Sequence, residues 1–404
     1  MNKKLLWFAR IFVGILFIFS GLIKANDPYG FAYKLDEYFQ IFHMSWLEPY
    51  TVGLSIFICI LEVMMGVWLL IGFKPVWNAW ALLLLIIFFD FLTGYTALAN
   101  LAKSNPSWGF SKVMATIMGV KDQNPEMINA LSDCGCFGDF LKLQPWQSFL
   151  KDVILTILII VVFKKRREME SIFNPVINAI ASFVSAFVSI SFPLICFYTL
   201  PSKDFLPYKV GNDIVEQMTI PVGAPTDSFE YNFIYKNKVS GEEKIFGMTN
   251  LPDSTWEFKD TKHKLIREGY HPPIHDFKMF DKDGNEFTDI ITEQEGYKLM
   301  IVTTSIVKAN VDNMKRISNI INKVKLNHPE IQAFLLTSTN LPEAEAYKKT
   351  YNLNIPFYGM DGTVLKTMMR SNPGLFLLKK SKILKKWSGY TVPVDTAKVF
   401  KYMR

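Results

Sequence analysis

Cysteine is scarce in this chain: 404 residues hold four, and two of them stand one residue apart in "LSDCGCFGDF", residues 131 to 140. Histidine is almost as rare at five, and none sits at ligand spacing to that pair, so a four-donor zinc site lacks ligands. No small-x-small pair precedes Asn26, which removes a cleavage site after the first apolar run and makes it an uncleaved anchor. Paired internal repeats are missing as well, which argues against a transporter. The net charge of +7 does not mark a nucleic-acid surface, because Lys and Arg flank apolar runs or alternate with acids in the C-terminal half.

What is abundant is apolar residues, half of the composition, concentrated in the first two hundred positions. Five runs, at about 5–24, 51–72, 78–100, 148–163 and 175–199, approach the roughly 20 helical residues that cross a bilayer core. The fourth is short and reaches length if it starts near Trp146. Basic residues cluster at Lys3, Lys4 and Arg10, at Lys74, and in "FKKRREME" after the fourth run. With an odd number of spans these segments share one face, the cytoplasmic one by the positive-inside rule. The loop 25–50, the loop 101–147 and everything after residue 200 fall on the opposite face. In a bacterium that is the periplasm, so the expected location is the inner membrane, with the paired cysteines and the C-terminal half meeting outside the cytoplasm, where thiols are oxidised. The loop 101–147 should lie along the membrane surface, with Trp108 and Trp146 at headgroup depth.

Cys134 and Cys136 are the candidate reacting pair. A disulfide across one residue is strained and hence easily reduced, and Gly135 supplies the backbone freedom such a turn needs. Three readings stand: redox exchange, in which Cys196 could reach the loop as a resolving thiol, a structural disulfide, including one to Cys196, and metal ligation, for which donors are short. Asp133 and Asp139 would raise the thiol pKa values rather than lower them. Within the spans, Glu62 and Asp90 are acids in a membrane, expensive and usually functional. With Cys59, one turn from Glu62, they form a candidate proton or electron relay toward a membrane quinone, the one cofactor class these residues suggest. The alternative is that the acids pair with Lys24 or polar groups and that Cys59 is a packing residue.

Three strings, "SGLIKANDPYGFAYKLDEY", "LEVMMGVWLLIG" and "DCGCFGD", resemble the DoxX and MauE type of redox-associated membrane protein over the first 165 residues. That resemblance implies a four-helix membrane bundle, with a MauE branch associated with maturing a disulfide-rich periplasmic enzyme. The added fifth span and "DFLPYKVGNDI" resemble the extended form found in Bacteroidetes. Downstream, "KLMIVTTSI" and "IQAFLLTST" read as buried strands, 310–327 and 341–351 as helices, and "NPGLFLLKKSKILKKWSGY" as an antiparallel pair. "IHDFKMFDKDGNEF" reads as a hairpin, "FEYNFIYKNKVSGEEKIFG" as hairpins that begin the same domain, and "HPPIH" as a rigid linker. This order resembles a thioredoxin-like domain of the TlpA type, which implies a cis-proline at Pro373 beside a client groove. The family's Cys-x-x-Cys is replaced by "TTSIVKAN", so this domain is no dithiol oxidoreductase on its own.

The expected fold class is a membrane α-helical bundle, a DoxX-like core of four helices plus a fifth transmembrane helix, followed by a soluble α/β thioredoxin-like domain. Its divisions are 1–165, 166–200, a β-rich junction 201–269, and 270–404. The expected function is periplasmic thiol-disulfide exchange through Cys134 and Cys136, with a degenerate thioredoxin-like domain that binds a periplasmic client or envelope partner. The alternative is a non-enzymatic membrane anchor or assembly subunit in which the pair is a staple. Lipid is an expected partner and nucleic acid is not.

Overall fold

The structure is a computed structural model that describes residues 3–104, 135 and 137–403. The thiols of Cys134 and Cys136, Asp133, and the course of 105–134 with Trp108 lie outside the described residues.

Helix α1 (Lys3–Asn26) ends at Asp27, whose carboxylate accepts the Gly30 amide at 2.9 Å and caps α2 (Pro28–Ile41), with Pro28 at its first turn. The region 25–50 is therefore not the open loop its polarity suggests. At 14 residues α2 is too short to span, but it buries Phe31, Leu35, Tyr38 and Phe39 at helical spacing. A tight 3-10 turn (Ser45–Tyr50) leads into α3 (Thr51–Ile71), followed by α4 (Pro75–Ser104), α5 (Pro145–Lys164) and α6 (Pro175–Thr199). Of these, α1 and α3 to α6 are long and apolar enough to cross a membrane, and they match the five expected spans. The fourth does begin one residue before Trp146.

In the bundle α1 packs on α3, α4 on α5, and α1 also on α5, while α6 leans on α3 from outside. The α1–α3 contact is close because small residues face each other: a Cβ on Gly66 would lie 2.7 Å from the Gly14 carbonyl oxygen. In lipid such backbone approach, through dispersion, is a main source of helix association. At one end Arg10 donates to the carbonyls of Leu69 at 2.7 Å, Leu70 at 2.9 Å and Glu170 at 3.0 Å, so a buried guanidinium satisfies the last carbonyls of α3. That bond set gathers the N-terminus, the turn at Lys74 and the loop after α5 at one end, the basic end. Asn26, Asp139 and Lys203 meet at the far end.

Residues 228–267 form a separate antiparallel sheet of β1 (Ser228–Asn237), β2 (Glu243–Gly247) and β3 (Trp256–Arg267), in the order β2-β1-β3. The hairpins are those the alternation predicts, but they do not begin the next sheet. That second sheet comprises β4 (Tyr297–Thr303), β5 (Gln332–Thr337), β6 (Phe357–Gly359), β7 (Gly374–Lys379) and β8 (Lys382–Ser388), in the order β6-β5-β4-β7-β8. Strands β4, β5 and β6 run parallel and β7 and β8 antiparallel. The connecting helices are α7 (Val311–Asn327), α8 (Leu341–Tyr351) and α9 (Gly362–Met368).

"KLMIVT" is apolar without alternation because both faces of β4 are covered. Leu299 and Ile301 pack under α7 and α8, and Met300 and Val302 pack with α9 and with Tyr208 and Ile214 of the junction. The peptide bond Asn372–Pro373 before β7 is cis. A central parallel βαβ unit, an antiparallel pair at its edge and a cis-proline leading into that pair make this a soluble α/β domain of thioredoxin-like order.

Candidate functional site

The far end of the bundle is where three distant segments converge on one side chain. Arg370, three residues before the cis-proline, donates from Nε to Asp27 Oδ2 at 2.7 Å and from an η nitrogen to Asp139 Oδ2 at 2.8 Å. Its side chain is 8% exposed, those of Asp27 and Asp139 14% and 28%. Asp27 lies between α1 and α2, and Asp139 lies three residues beyond Cys136, so the guanidinium joins the thioredoxin-like domain, the bundle and the cysteine loop. Burial works against its charge, but Asp27 and Asp139 outweigh burial and hold it above its ordinary value. The ring of Tyr33 on α2 lies beneath, 5.5 Å from the Arg370 guanidinium carbon and 5.0 Å from Lys366 Nζ. Burial pushes the Tyr33 phenol up to about 12, with Arg370 acting in the opposite direction.

The cysteine loop is seated on the bundle beside this point. Gly135 has φ +61, and a Cβ there would lie 2.9 Å from Lys34 Cγ, so the middle residue of the Cys-Gly-Cys string is tight against α2 and adopts the left-handed turn that glycine permits. Phe137 is buried against Phe19 of α1 with ring centroids 5.8 Å apart. Phe140 bridges Phe19 at 5.8 Å and Phe205 of the junction at 5.2 Å.

The thioredoxin-like domain turns toward this loop the end that carries its cis-proline. The "TTSIVKAN" segment is tied to the cis-proline loop: Asn372 Nδ2 donates to the Ser305 carbonyl at 3.0 Å, and the Asn310 amide to the Asn372 carbonyl at 3.3 Å. Pro373 itself is buried. Burial pushes the Asp36 carboxyl of α2 up, against the pull of Lys366 and Lys308 from this same end of the domain.

Of the sequence-selected residues within the bundle, Glu62 pairs with Lys24 at 2.6 Å, both buried. Asp90 accepts from Thr156 at 2.5 Å. Cys59 is fully buried with Ala25, Phe31, Leu35, Phe39 and Ile58 and carries a free thiol, which is the packing environment. Cys196 is likewise a buried free thiol, with Sγ 3.5 Å from Ser202 Oγ. A cavity of about 30 Å³, measured as the space a water centre can occupy, lies between Lys24, Glu62 and Asp152. Glu62 Oε2 and Asp152 Oδ2 are buried without a hydrogen-bond partner among the described residues.

Sequence reasoning missed Arg370 and with it the joint role of Asp27 and Asp139. Both acids stood in motif strings, "KANDPYG" and "CGCFGD", and the arginine in "RSNP" before the proline. The only signal was that each of the three sites carries a charge beside a conformationally special residue.

The architecture defines a class: a polytopic helix bundle whose far end is capped by a thioredoxin-like domain with no cysteine in residues 270–404. Within it, residues 2–105 match the family described as methylamine utilisation protein MauE. Residues 229–268, the three-stranded sheet, match a family described as a domain of unknown function. No curated protein matches the chain. Among solved structures, copper-bound ScoI of Arabidopsis thaliana is similar at 12% identity, with 32% of this chain and 96% of that one covered and a TM-score of 0.26. A putative protein disulfide isomerase from Bacteroides thetaiotaomicron is similar at 18% identity, with 32% and 83% covered and a TM-score of 0.25.

Proposed function

We propose that this is an inner-membrane protein that takes part in thiol-disulfide exchange on the periplasmic face through Cys134 and Cys136. The observation that carries the reading is the double ion pair of Arg370, which sets the cis-proline loop of a thioredoxin-like domain against the loop that bears the pair. Three residues of chain, at most about 11 Å fully extended, separate Asp139 from Cys136. Asp139 alone would disfavour a thiolate nearby, and Arg370 offsets that charge.

In the exchange one thiolate of the pair attacks a sulfur of a client disulfide, and the client's other sulfur leaves and takes a proton. The second cysteine, as thiolate, then attacks the first cysteine's sulfur, the client is released with its second thiol protonated, and the pair is left as a disulfide. Two electrons and two protons pass to the client, and the reverse direction balances in the same way. A quinone does not fit the cavity beside Glu62. About 30 Å³ of water-centre space holds about two waters and not a ring, so no step is drawn through it.

The burial of Arg370 and Pro373 favours a second reading, an assembly or anchor subunit whose recognition edge is taken up by its own bundle. The two readings separate on whether the pair changes oxidation state. Cells are acid-quenched and free thiols tagged with a heavy maleimide, beside a Cys134→Ser/Cys136→Ser variant. A mixed population that shifts with mild reductant is expected. A pair that stays fully oxidised under reductant makes it a staple and ends the exchange reading.

A further inference from the structure

Where α6 ends and the chain turns into the thioredoxin-like domain, four lysines, Lys203, Lys209, Lys385 and Lys386, line one open groove with a single carboxylate, Asp204. Its volume is about 480 Å³, measured as the space a water centre can occupy. Asp204 is committed: its Oδ2 accepts from Lys386 Nζ at 2.8 Å, with that lysine 6% exposed. Burial pushes the Lys386 ammonium down, Asp204 opposes this, and Arg370 adds to the depression. No carboxylate among the described residues lies within ion-pair distance of Lys203 or Lys209. The groove therefore holds more cationic charge than the protein compensates, with Lys203 and Lys209 exposed and open to an anion from outside.

Its depth says which anion. Residue 199 is the last of a membrane-spanning helix, and Phe197, Tyr198 and Tyr390 gather there, with the Tyr198 and Tyr390 rings 5.0 Å apart, as aromatic residues do at the headgroup level. Further down α6, Ile195, Leu194 and Ile190 are exposed and offer an apolar track for acyl chains. The floor is fixed, because Asn26 donates to the Lys203 carbonyl at 2.7 Å and accepts from its amide at 2.9 Å.

We propose that this groove is a binding site for the phosphate of an anionic phospholipid, with Lys203 and Lys209 as the ligating ammoniums and Lys385 at the rim. Basic pockets at the ends of membrane helices recognise headgroups in this way. The site stands apart from the thiol chemistry and survives whatever the fate of that reading.

The test uses the full chain in neutral detergent, with thermal unfolding followed as lipid is added. Phosphatidylglycerol is expected to raise the midpoint in a saturable way, and phosphatidylcholine to leave it unmoved. Lys203→Gln/Lys209→Gln should melt at the wild-type temperature without lipid and need at least about tenfold more phosphatidylglycerol for the same rise. An identical titration of the variant overturns the assignment, as does an equal rise with phosphatidylcholine. A rise produced by inorganic phosphate alone, and lost in the variant, overturns the lipid source in favour of a soluble anion. If the double variant does not fold, the single Lys209→Gln, which leaves the Asn26 clamp on Lys203 untouched, is titrated in its place and is expected to weaken the response.

Discussion

Within the bundle the strongest constraint falls on two residues. Lys24 and Glu62 are 3% and 1% exposed and 2.6 Å apart, and the Lys24 ammonium also donates to Ser20 at 2.8 Å and lies 4.8 Å from the Phe89 ring. A buried pair of this kind gains about as much from Coulomb attraction as it loses in dehydration, whereas removing one member strands a charge. Lys24→Met should therefore destabilise the protein by about 3–5 kcal/mol, and Lys24→Met/Glu62→Leu should return to near wild-type stability, read as unfolding midpoints in detergent. The double variant also tests the relay expectation. If Glu62 serves only the pair, thiol turnover in cells is unchanged; if it moves protons, turnover falls while the fold persists. The cavity beside it, where Glu62 Oε2 and Asp152 Oδ2 have no hydrogen-bond partner among the described residues, has room and acceptors for water, which is what a proton path would need.

Among the elements, the three-stranded sheet is the one that owes least to its neighbours. Its rings pack on each other, Phe229 on His263 at 5.7 Å, Tyr235 on Phe246 and Phe258 at 5.6 and 5.7 Å, and Phe246 on Trp256 at 5.2 Å. Its two ends are pinned together, with the Tyr270 amide on the Pro225 carbonyl at 2.7 Å and the Gly269 amide on Asp227 Oδ1 at 2.7 Å. Replacing 228–267 by a short Gly-Ser linker should therefore leave the unfolding midpoint of the thioredoxin-like domain within about 2 °C, less than one kcal/mol would move a domain of that size. A large drop would show that the sheet supports the core of the thioredoxin-like domain.

Legibility also divides at this scale. The five spans, β4, β5, α7, α8 and the β7–β8 pair were readable because each is long and periodic or continuously apolar. Helix α2 was not, since its signal is a cap at Asp27 and four spaced apolar residues within a polar stretch. Strand β6 was not either, since it is three residues long, paired with the end of β5 and bridged to the distant Phe280. The acids of the site could be seen in the sequence, but their common partner could not. Arg370 is 343 positions from Asp27 and 231 from Asp139, and no local periodicity carries information over such distances.

At the scale of the whole molecule, the contacts between the two halves decide how the cysteine pair is reached. Besides Arg370, the halves meet through Asn26 and Lys203, through Ser388 and the Tyr198 carbonyl, and through Tyr390 packed on Tyr198. Arg370 is the one contact among these that is both charged and attached to the cysteine loop itself, so it is the latch that couples the cap to the pair. Arg370→Gln removes the cation that Asp27 and Asp139 share. The cost is about 2–4 kcal/mol, somewhat under the roughly 3–5 kcal/mol of a fully buried broken pair, because Asp139 keeps some access to water. The expected result is faster hydrogen exchange in α2 and in residues 137–140, with the strands of the thioredoxin-like sheet unchanged. The reduced pair should also label several-fold faster with maleimide. Labelling is best followed upward in pH until the rate levels off in each protein, because on that plateau the thiols are fully ionised and the rate reports access alone. A faster plateau means that the cap shields the pair and that a client must displace it. An unchanged plateau with a slower rate at pH 7 means that the arginine acts through its charge on the thiolate, and that the domain stands beside the pair without covering it.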